Sequence, residues 1–357
     1  MTEGVKVFHV IGLMSGTSLD GLDIASCKFR FEDLTRKWSF RIYEAETVSY
    51  PEEWTNRLAS VEKSSAEDLA RTDVEYGHWL GRAVHAFIDK HGINPDFIAS
   101  HGHTIFHQPD AGFTTQIGKG AAIAAETGFP VICDFRSTDV AFGGQGAPLV
   151  PAGDRLLFPS FQYCLNIGGF ANISFEKESD RIAYDICPAN IILNRIARKS
   201  GKCYDKDGII AASGKIDPKL LNALNSLDYY KISSPKSLGK EWLLTEFVPL
   251  IEKSAISLED KMRTVTEHIA IQIAGSLDND SSKQALVTGG GALNLYLMRL
   301  IGEKTNTRIV IPDLKTIQFK EALIFAFLGV LRQMGEFNTL SSVTGAQKNT
   351  SGGCIYI

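Results

Sequence analysis

The stretch Gly12-Leu-Met-Ser-Gly-Thr-Ser-Leu-Asp-Gly-Leu-Asp23 decides how this chain reads. One apolar run, Val5 to Leu13, leads into it, and another, Ile24 to Phe29, leads out. The pattern is strand, tight polar turn, strand. Glycine carries no Cβ and lets backbone come close to a ligand. Successive turn N–H groups form a concave nest that suits phosphate. Gly12, Gly16 and Gly21 supply such backbone, and Ser15, Thr17 and Ser18 add hydroxyl donors. Asp20 and Asp23 suit Mg²⁺ beside phosphates, because that ion takes one or two carboxylates together with phosphate oxygens. The same residue types also build an ordinary hairpin turn. Taken alone, the stretch leaves both readings open.

The bulk numbers narrow the class. With 357 residues the chain is long enough for two domains. Its 44% hydrophobic and 22% charged content is that of a soluble globular protein. A net charge of −4 offers no basic stripe for nucleic acid. No apolar run is long enough to span a bilayer, and Met-Thr-Glu-Gly-Val-Lys is not the start of a secretory signal. Six cysteines are scattered without a Cys-x-x-Cys pair, several in apolar runs, which predicts reduced thiols and a cytoplasmic setting.

Along the chain, strands and helices alternate, as in an α/β protein. Ser64 and Glu67 have capping-box spacing before a long helix that ends at Gly92. The strand at Phe97 to Ser100 runs into His101-Gly-His103-Thr104. The strand at Pro130 to Phe135 runs into a glycine-rich loop, Arg136 to Pro148, that contains Gln145. Near Phe158 the plan starts again: Tyr163 to Ile167, a turn at Gly168-Gly169-Phe-Ala-Asn172, then Ile173 to Phe175. This repeat predicts two related domains, residues 1–157 and 158–357. Ser257 and Asp260 cap a helix, and a buried strand at Ala285 to Thr288 opens onto Gly289-Gly290-Gly291-Ala292. An apolar helix over Lys320 to Met334 follows, and the Gly/Ser/Thr-rich tail from Gly345 reads as loosely held.

Three glycine turns thus stand at strand ends, yet neither common nucleotide fingerprint is present. Gly118-Lys119-Gly120 fails the Walker A pattern, and Gly289 to Asn294 lacks the spacing of a dinucleotide loop. A nucleotide held between two similar domains fits better, with hairpins on the phosphates and the triple glycine on the nucleoside. His101, His103 and His107 invite a metal site, but no carboxylate stands at a familiar metal spacing, so substrate hydrogen bonding or core packing is expected of them instead.

At this point the residues resemble a family. Gly12–Asp23, Ser100-His-Gly-His-Thr104, Thr115-Gln-Ile-Gly118, Asp134-Phe-Arg136 with the loop to Pro151, Asn166 to Asn172, Ala183-Tyr-Asp185, Pro235-Lys-Ser237, Thr288 to Ala292 and Lys320-Glu-Ala322 run in order over almost the whole chain. Together they are similar to the anhydro-N-acetylmuramic acid kinases of the sugar kinase, Hsp70 and actin superfamily. The resemblance implies two actin-like (ribonuclease-H-like) α/β domains with an active site in the cleft between them. It implies ATP and Mg²⁺ as cofactors and a homodimer as the family's assembly. It implies hydrolytic opening of the 1,6-anhydro ring and phosphorylation of the freed 6-oxygen, a step of cell-wall recycling. The family's base aspartate falls on Asp185, and its Asp-x-Gly-Pro-Gly-Asn motif reads here as Asp185-Ile-Cys187-Pro188-Ala189-Asn190. Cys187 and Ala189 replace glycines, and His103 stands where the family has glutamine. The replaced glycines would put Cβ atoms where backbone approaches the ligand.

The expected site set is then Asp185 and Glu321 for catalysis. The nucleotide falls to Gly12, Ser15, Gly16, Thr17, Ser18, Asp20, Gly21, Asp23, Gly168, Gly169, Asn172, Gly289, Gly290 and Gly291. The sugar falls to His101, Thr104, Arg136 and Gln145. Arg136 either meets a lactyl carboxylate bidentately or pairs with Asp134 or Asp139. Two other functions share this pattern: a kinase of the same fold for another sugar or carboxylate, and an ATP-binding switch with impaired catalysis.

Overall fold

The computed structural model describes residues 4–16, 19 and 21–357, so Thr17, Ser18 and Asp20 lie outside the described residues. Val5–Ser15 (β1), Leu22–Glu32 (β2) and Lys37–Val48 (β3) form an antiparallel meander. Phe97–Ser100 (β4) and Val131–Cys133 (β7) add to β1 in parallel. His103–Gln108 (β5) and Phe113–Ile117 (β6) make a separate two-stranded ribbon. In the second half, Tyr163–Ile167 (β8), Phe170–Lys177 (β9) and Asp180–Pro188 (β10) repeat the meander. Gln284–Thr288 (β11) and Arg308–Val310 (β12) repeat the parallel additions.

The order β3-β2-β1-β4-β7 therefore recurs as β10-β9-β8-β11-β12, with the same strand senses. This is the plan expected of paired actin-like domains. The first sheet carries one further edge strand, Cys354–Tyr356 (β13), antiparallel to β7. The tail is thus built into the sheet, which corrects its reading as loosely held.

The chain divides into one unit of Met1–Leu157 with Phe319–Ile357 and another of Phe158–Gln318. The expected second domain of 158–357 is therefore too long. Sheet faces explain the difference. Side chains alternate across β1, and Ile11 and Leu13 pack with Leu80, Val84 and Phe87 of the helix Ala66–His91. The opposite face needs its own cover. The helix Leu314–Met334 provides it, with Ala322 and Ala326 against Gly12, Phe327 against Phe29, and Gly329 against Ala99. That helix departs from helical geometry at Phe319 (φ −113°, ψ 15°), where the unit boundary falls.

Local signals explain the helix ends. Ser65, one residue later than expected, caps Ala66–His91 by accepting from the Asp68 N–H (3.1 Å). Gly92 closes that helix with φ +62°, a conformation that favours glycine. Ser257 caps Leu258–Gly275 through the Asp260 N–H (3.1 Å), as its spacing predicts. Val265 and Ile269 of that helix join Leu165, Ile167, Ile192 and Val287 in the core of the second unit.

Candidate functional site

In the first unit, the opening hairpin is held from inside. Gly12 is buried, and a Cβ there would lie 2.0 Å from the Ala322 carbonyl oxygen. Its missing side chain is filled by helix packing, which corrects its reading as a ligand-approach glycine. Ser15 is buried too. Its Oγ accepts from Tyr50 (2.7 Å) and Tyr76 (3.0 Å) and lies 2.9 Å from His103 Nδ1. The Tyr50 and Tyr76 hydroxyls also meet each other at 2.7 Å, so three hydroxyls and one imidazole share one network. Burial pushes the His103 imidazole down to about 4, in keeping with a neutral ring. The hydroxyl expected to meet phosphate is thus the hub of a buried network, and His103 is its third partner. Gly16 accepts from the Leu19 N–H (3.4 Å) in the turn, and Gly21 backs onto Val48. Asp23 accepts from Thr47 Oγ1 (2.5 Å).

The sugar loops of the same unit gather around Arg136. Its Nε and Nη2 donate to His101 Nε2 at 3.1 and 2.9 Å, and Nη1 donates to the Gly146 carbonyl at 2.7 Å. Neither expected carboxylate pairs with it. Asp134 accepts from Ser137 Oγ (2.6 Å). Asp139, fully buried, accepts from the Gly146 N–H and from Thr344 Oγ1, both at 2.8 Å. Asp139 thereby ties the glycine-rich loop to the chain's tail. Burial lowers the Arg136 guanidinium to about 10, opposed by the Glu321 charge. Glu321 follows the break at Phe319. Burial and then Asp23 push its carboxyl up, against the pull of Lys320 and Arg136. Lys320 in turn meets Asp154 at 2.7 Å in a buried ion pair. Thr104 Oγ1 accepts from Gln116 (3.4 Å), and Gln145, exposed, reaches Asp110 (3.4 Å).

In the second unit, the Gly168-Gly169 turn is open where Gly12 is closed. A Cβ at Gly168 would meet nothing nearer than 3.5 Å, and one at Gly169 nothing nearer than 3.7 Å. Packing does not demand glycine at either position, since a Cβ would sit there in ordinary contact. The turn is anchored by Ala189, Asn190 and Ile191, whose N–H groups donate to its two carbonyls. Asn172 lies across from Asn166 on one side and Asp185 on the other, giving a polar row over three strands.

Asp185 sits where β10 bulges. One oxygen, Oδ2, accepts from the Leu238 N–H (2.9 Å), and its backbone is held by Lys236 and by the Tyr229 hydroxyl. Burial pushes its carboxyl up, against the Leu238 hydrogen bond. Cys187 and Ala189, the replaced glycines, are fully buried in the core cluster of this unit. Their side chains pack inward, which corrects the expectation that they obstruct a ligand.

The triple-glycine turn divides the same way. Gly289, at φ +81°, and Gly291 are packed against Asn166 and Ile167, at 2.5 and 2.2 Å from added Cβ atoms. Gly290 is exposed and open, its nearest neighbour Asn190 at 3.5 Å. Beside it lies a cavity of about 430 Å³ lined by Asn190, Asn194, Lys206, Gly290 and Asn294, among others. Asn166 and Asn190, which link the two glycine turns of this unit, were not singled out from the sequence. Their signal was position: Asn166 stands two residues before Gly168, and Asn190 closes the motif that Asp185 opens.

His101 and His103 thus turn to different partners, Arg136 and Ser15, and His107 to Thr114 (3.1 Å). No helix among the described residues is long and apolar enough to cross a membrane.

The comparisons with known proteins agree with the order of these parts. The family described as anhydro-N-acetylmuramic acid kinase matches residues 8–357. The anhydro-N-acetylmuramic acid kinase of Pseudomonas fluorescens is 35% identical, over 97% of this chain and 98% of its own length. Those of Pseudomonas syringae pv. tomato and Aliivibrio fischeri are each 36% identical, over 98% and 97% of this chain and 99% and 98% of their own lengths. A match over nearly the whole length of both partners leaves no part of the fold unaccounted for, and this chain belongs to the anhydro-N-acetylmuramic acid kinase family.

Proposed function

We propose that this chain opens 1,6-anhydro-N-acetylmuramic acid with water and transfers the γ-phosphoryl of ATP to the freed 6-oxygen. The products are N-acetylmuramic acid 6-phosphate and ADP, in the recycling of cell-wall sugar. The observation that carries the reading is Asp185. It is a half-buried carboxylate whose Oδ2 is fixed by a backbone N–H and whose proton affinity is raised by burial. A positioned carboxylate of this kind takes the proton of water as it attacks the anomeric carbon. Attack on the face opposite the leaving oxygen inverts that centre. The departing 6-oxygen is captured by the phosphoryl group, so no separate acid is required. Glu321 is the second carboxylate for the sugar.

Phosphoryl transfer asks mainly for positioning and charge neutralisation. The open Gly168-Gly169 turn suits the phosphates, and the cavity beside Gly290 suits the nucleoside. Asp23 and Asp20 would hold Mg²⁺, an ion that prefers carboxylate and phosphate oxygens, and the bound ion would neutralise phosphate charge. Arg136 suits the lactyl carboxylate, because no carboxylate among the described residues forms an ion pair with it. Six free cysteines fit a reducing cytoplasm.

The test is incubation with anhydromuramic acid, ATP·Mg²⁺ and ¹⁸O-labelled water. The label is expected at the anomeric carbon of a 6-phosphate. No phosphorylated sugar, or label found only in phosphate, removes this reading.

A further inference from the structure

Arg136 is held in an unusual way. A half-buried guanidinium is ordinarily matched with a carboxylate, because an unpaired buried charge is costly. Here its three assigned bonds go to neutral acceptors: two to one imidazole nitrogen and one to a backbone carbonyl. Asp134 and Asp139, near in sequence, are occupied elsewhere, by Ser137 and by Gly146 and Thr344, and Glu321, whose charge acts on the guanidinium, makes no hydrogen bond or ion pair with it.

His101 Nε2 receives two N–H groups, so it carries no proton. The ring proton is therefore on Nδ1, where it meets the Gly102 carbonyl at 2.8 Å. Phe325 packs at 4.5 Å between ring centroids and limits the swing of the imidazole. Every polar atom of the ring is thus used to hold Arg136 or to be held.

We propose that His101 is a positioning residue: its neutral ring aims the Arg136 guanidinium without cancelling its charge, leaving that charge for an anionic group of the substrate. The sugar reading above gave His101 a direct contact with substrate; the geometry gives it Arg136 instead. The proposal rests on the proposed function in taking the lactyl carboxylate as that anionic group. A carboxylate at position 101 would hold the same guanidinium equally well and compete with the substrate for it. A neutral acceptor would not.

The experiment compares His101→Glu with His101→Gln, after confirming that both unfold cooperatively. Anhydromuramic acid and 1,6-anhydro-N-acetylglucosamine, which lacks the lactyl group, are the two acceptors. In His101→Glu, KM for anhydromuramic acid is expected to rise tenfold or more, with KM for ATP within twofold of wild type. The lactyl-free acceptor should respond alike to both variants, and His101→Gln should stay within about threefold of wild type. Equal KM values for anhydromuramic acid in the two variants, or an equal rise for both acceptors in His101→Glu, overturn the proposal. ¹⁵N NMR of the wild-type imidazole tests the clamp without any turnover. A neutral ring protonated at Nδ1 is expected at pH 7, and a ring protonated at Nε2 overturns the proposal. If wild type phosphorylates neither sugar while the Nδ1–H ring is observed, the functional reading fails and the clamp stands.

Discussion

The two glycine hairpins look alike in sequence and differ in what their glycines do. In the first unit, Gly12 is filled by the Ala322 backbone and Ser15 is the centre of a buried hydroxyl and imidazole network. In the second, Gly168 and Gly169 have room for a Cβ and border a polar row that ends on Asp185. One hairpin uses small residues to let a helix approach; the other leaves backbone bare. Gly12, on strand β1, is required by the backbone packed on it, whereas Gly168 and Gly169, at a turn, are not required by any neighbour in the chain.

The largest effect that sharpens this contrast lies at Asp185. Asp185→Asn keeps the shape and the Leu238 contact but cannot take a proton. Its kcat is expected to fall by about 10³-fold, within the range for a lost general base, while ATP affinity by calorimetry stays within twofold. A wild-type rate in this variant removes Asp185 as the base. Its titration gives a second handle. The base works ionised, and burial raises its proton affinity. Activity should therefore be lost as pH falls through that raised value. The acid limb of kcat/KM should lie above the ordinary aspartate value of about 4 and vanish from the residual rate of Asp185→Asn.

The next effect is on stability. Gly12→Ala forces a methyl into the Ala322 carbonyl, and over-packing of this kind costs about 3 kcal/mol. Chemical denaturation should show the loss, and an unchanged midpoint would mean that β1 and the helix Leu314–Met334 can part without penalty. Ser15→Ala removes the hub of the buried network, leaving Tyr50 and Tyr76 to each other and taking the Ser15 partner from His103. A loss of about 1–3 kcal/mol is expected. Should Ser15→Ala instead leave stability intact and raise KM for ATP, its hydroxyl serves the nucleotide after all. The smallest change is at Gly169→Ala. Stability should move by less than about 0.5 kcal/mol, as at an unpacked surface position, with KM for ATP raised. Equal destabilisation by Gly169→Ala and Gly12→Ala would erase the distinction between the hairpins.

Much of the fold was legible because it is written in short-range patterns. The repeated strand, glycine turn and strand at Gly12 and Gly168 announced two related units, and the strand orders agree. The caps at Gly92 and Ser257 followed from one-turn hydrogen bonding. The candidate site was legible in kind. Asp185, Glu321, Arg136 and the glycine turns are the residue types that water activation, anion binding and phosphate contact require. The errors have a common cause. The Gly12 methyl space, the Ser15 partners and the inward-facing Cys187 and Ala189 all depend on residues distant in sequence. So does the tail, whose Thr344 meets Asp139 across 205 positions.

The sequence by itself determined the α/β class, the internal repeat, the family and the short list of reactive side chains, because each rests on residue type and near-neighbour spacing. The tertiary structure alone decided that residues 319–357 return to the first unit, since an uncovered sheet face must be packed. It alone decided which glycines are closed by protein and which stay open. It also decided that His101 serves Arg136, because a lone pair is assigned by what stands opposite it, and that neighbour is 35 residues away.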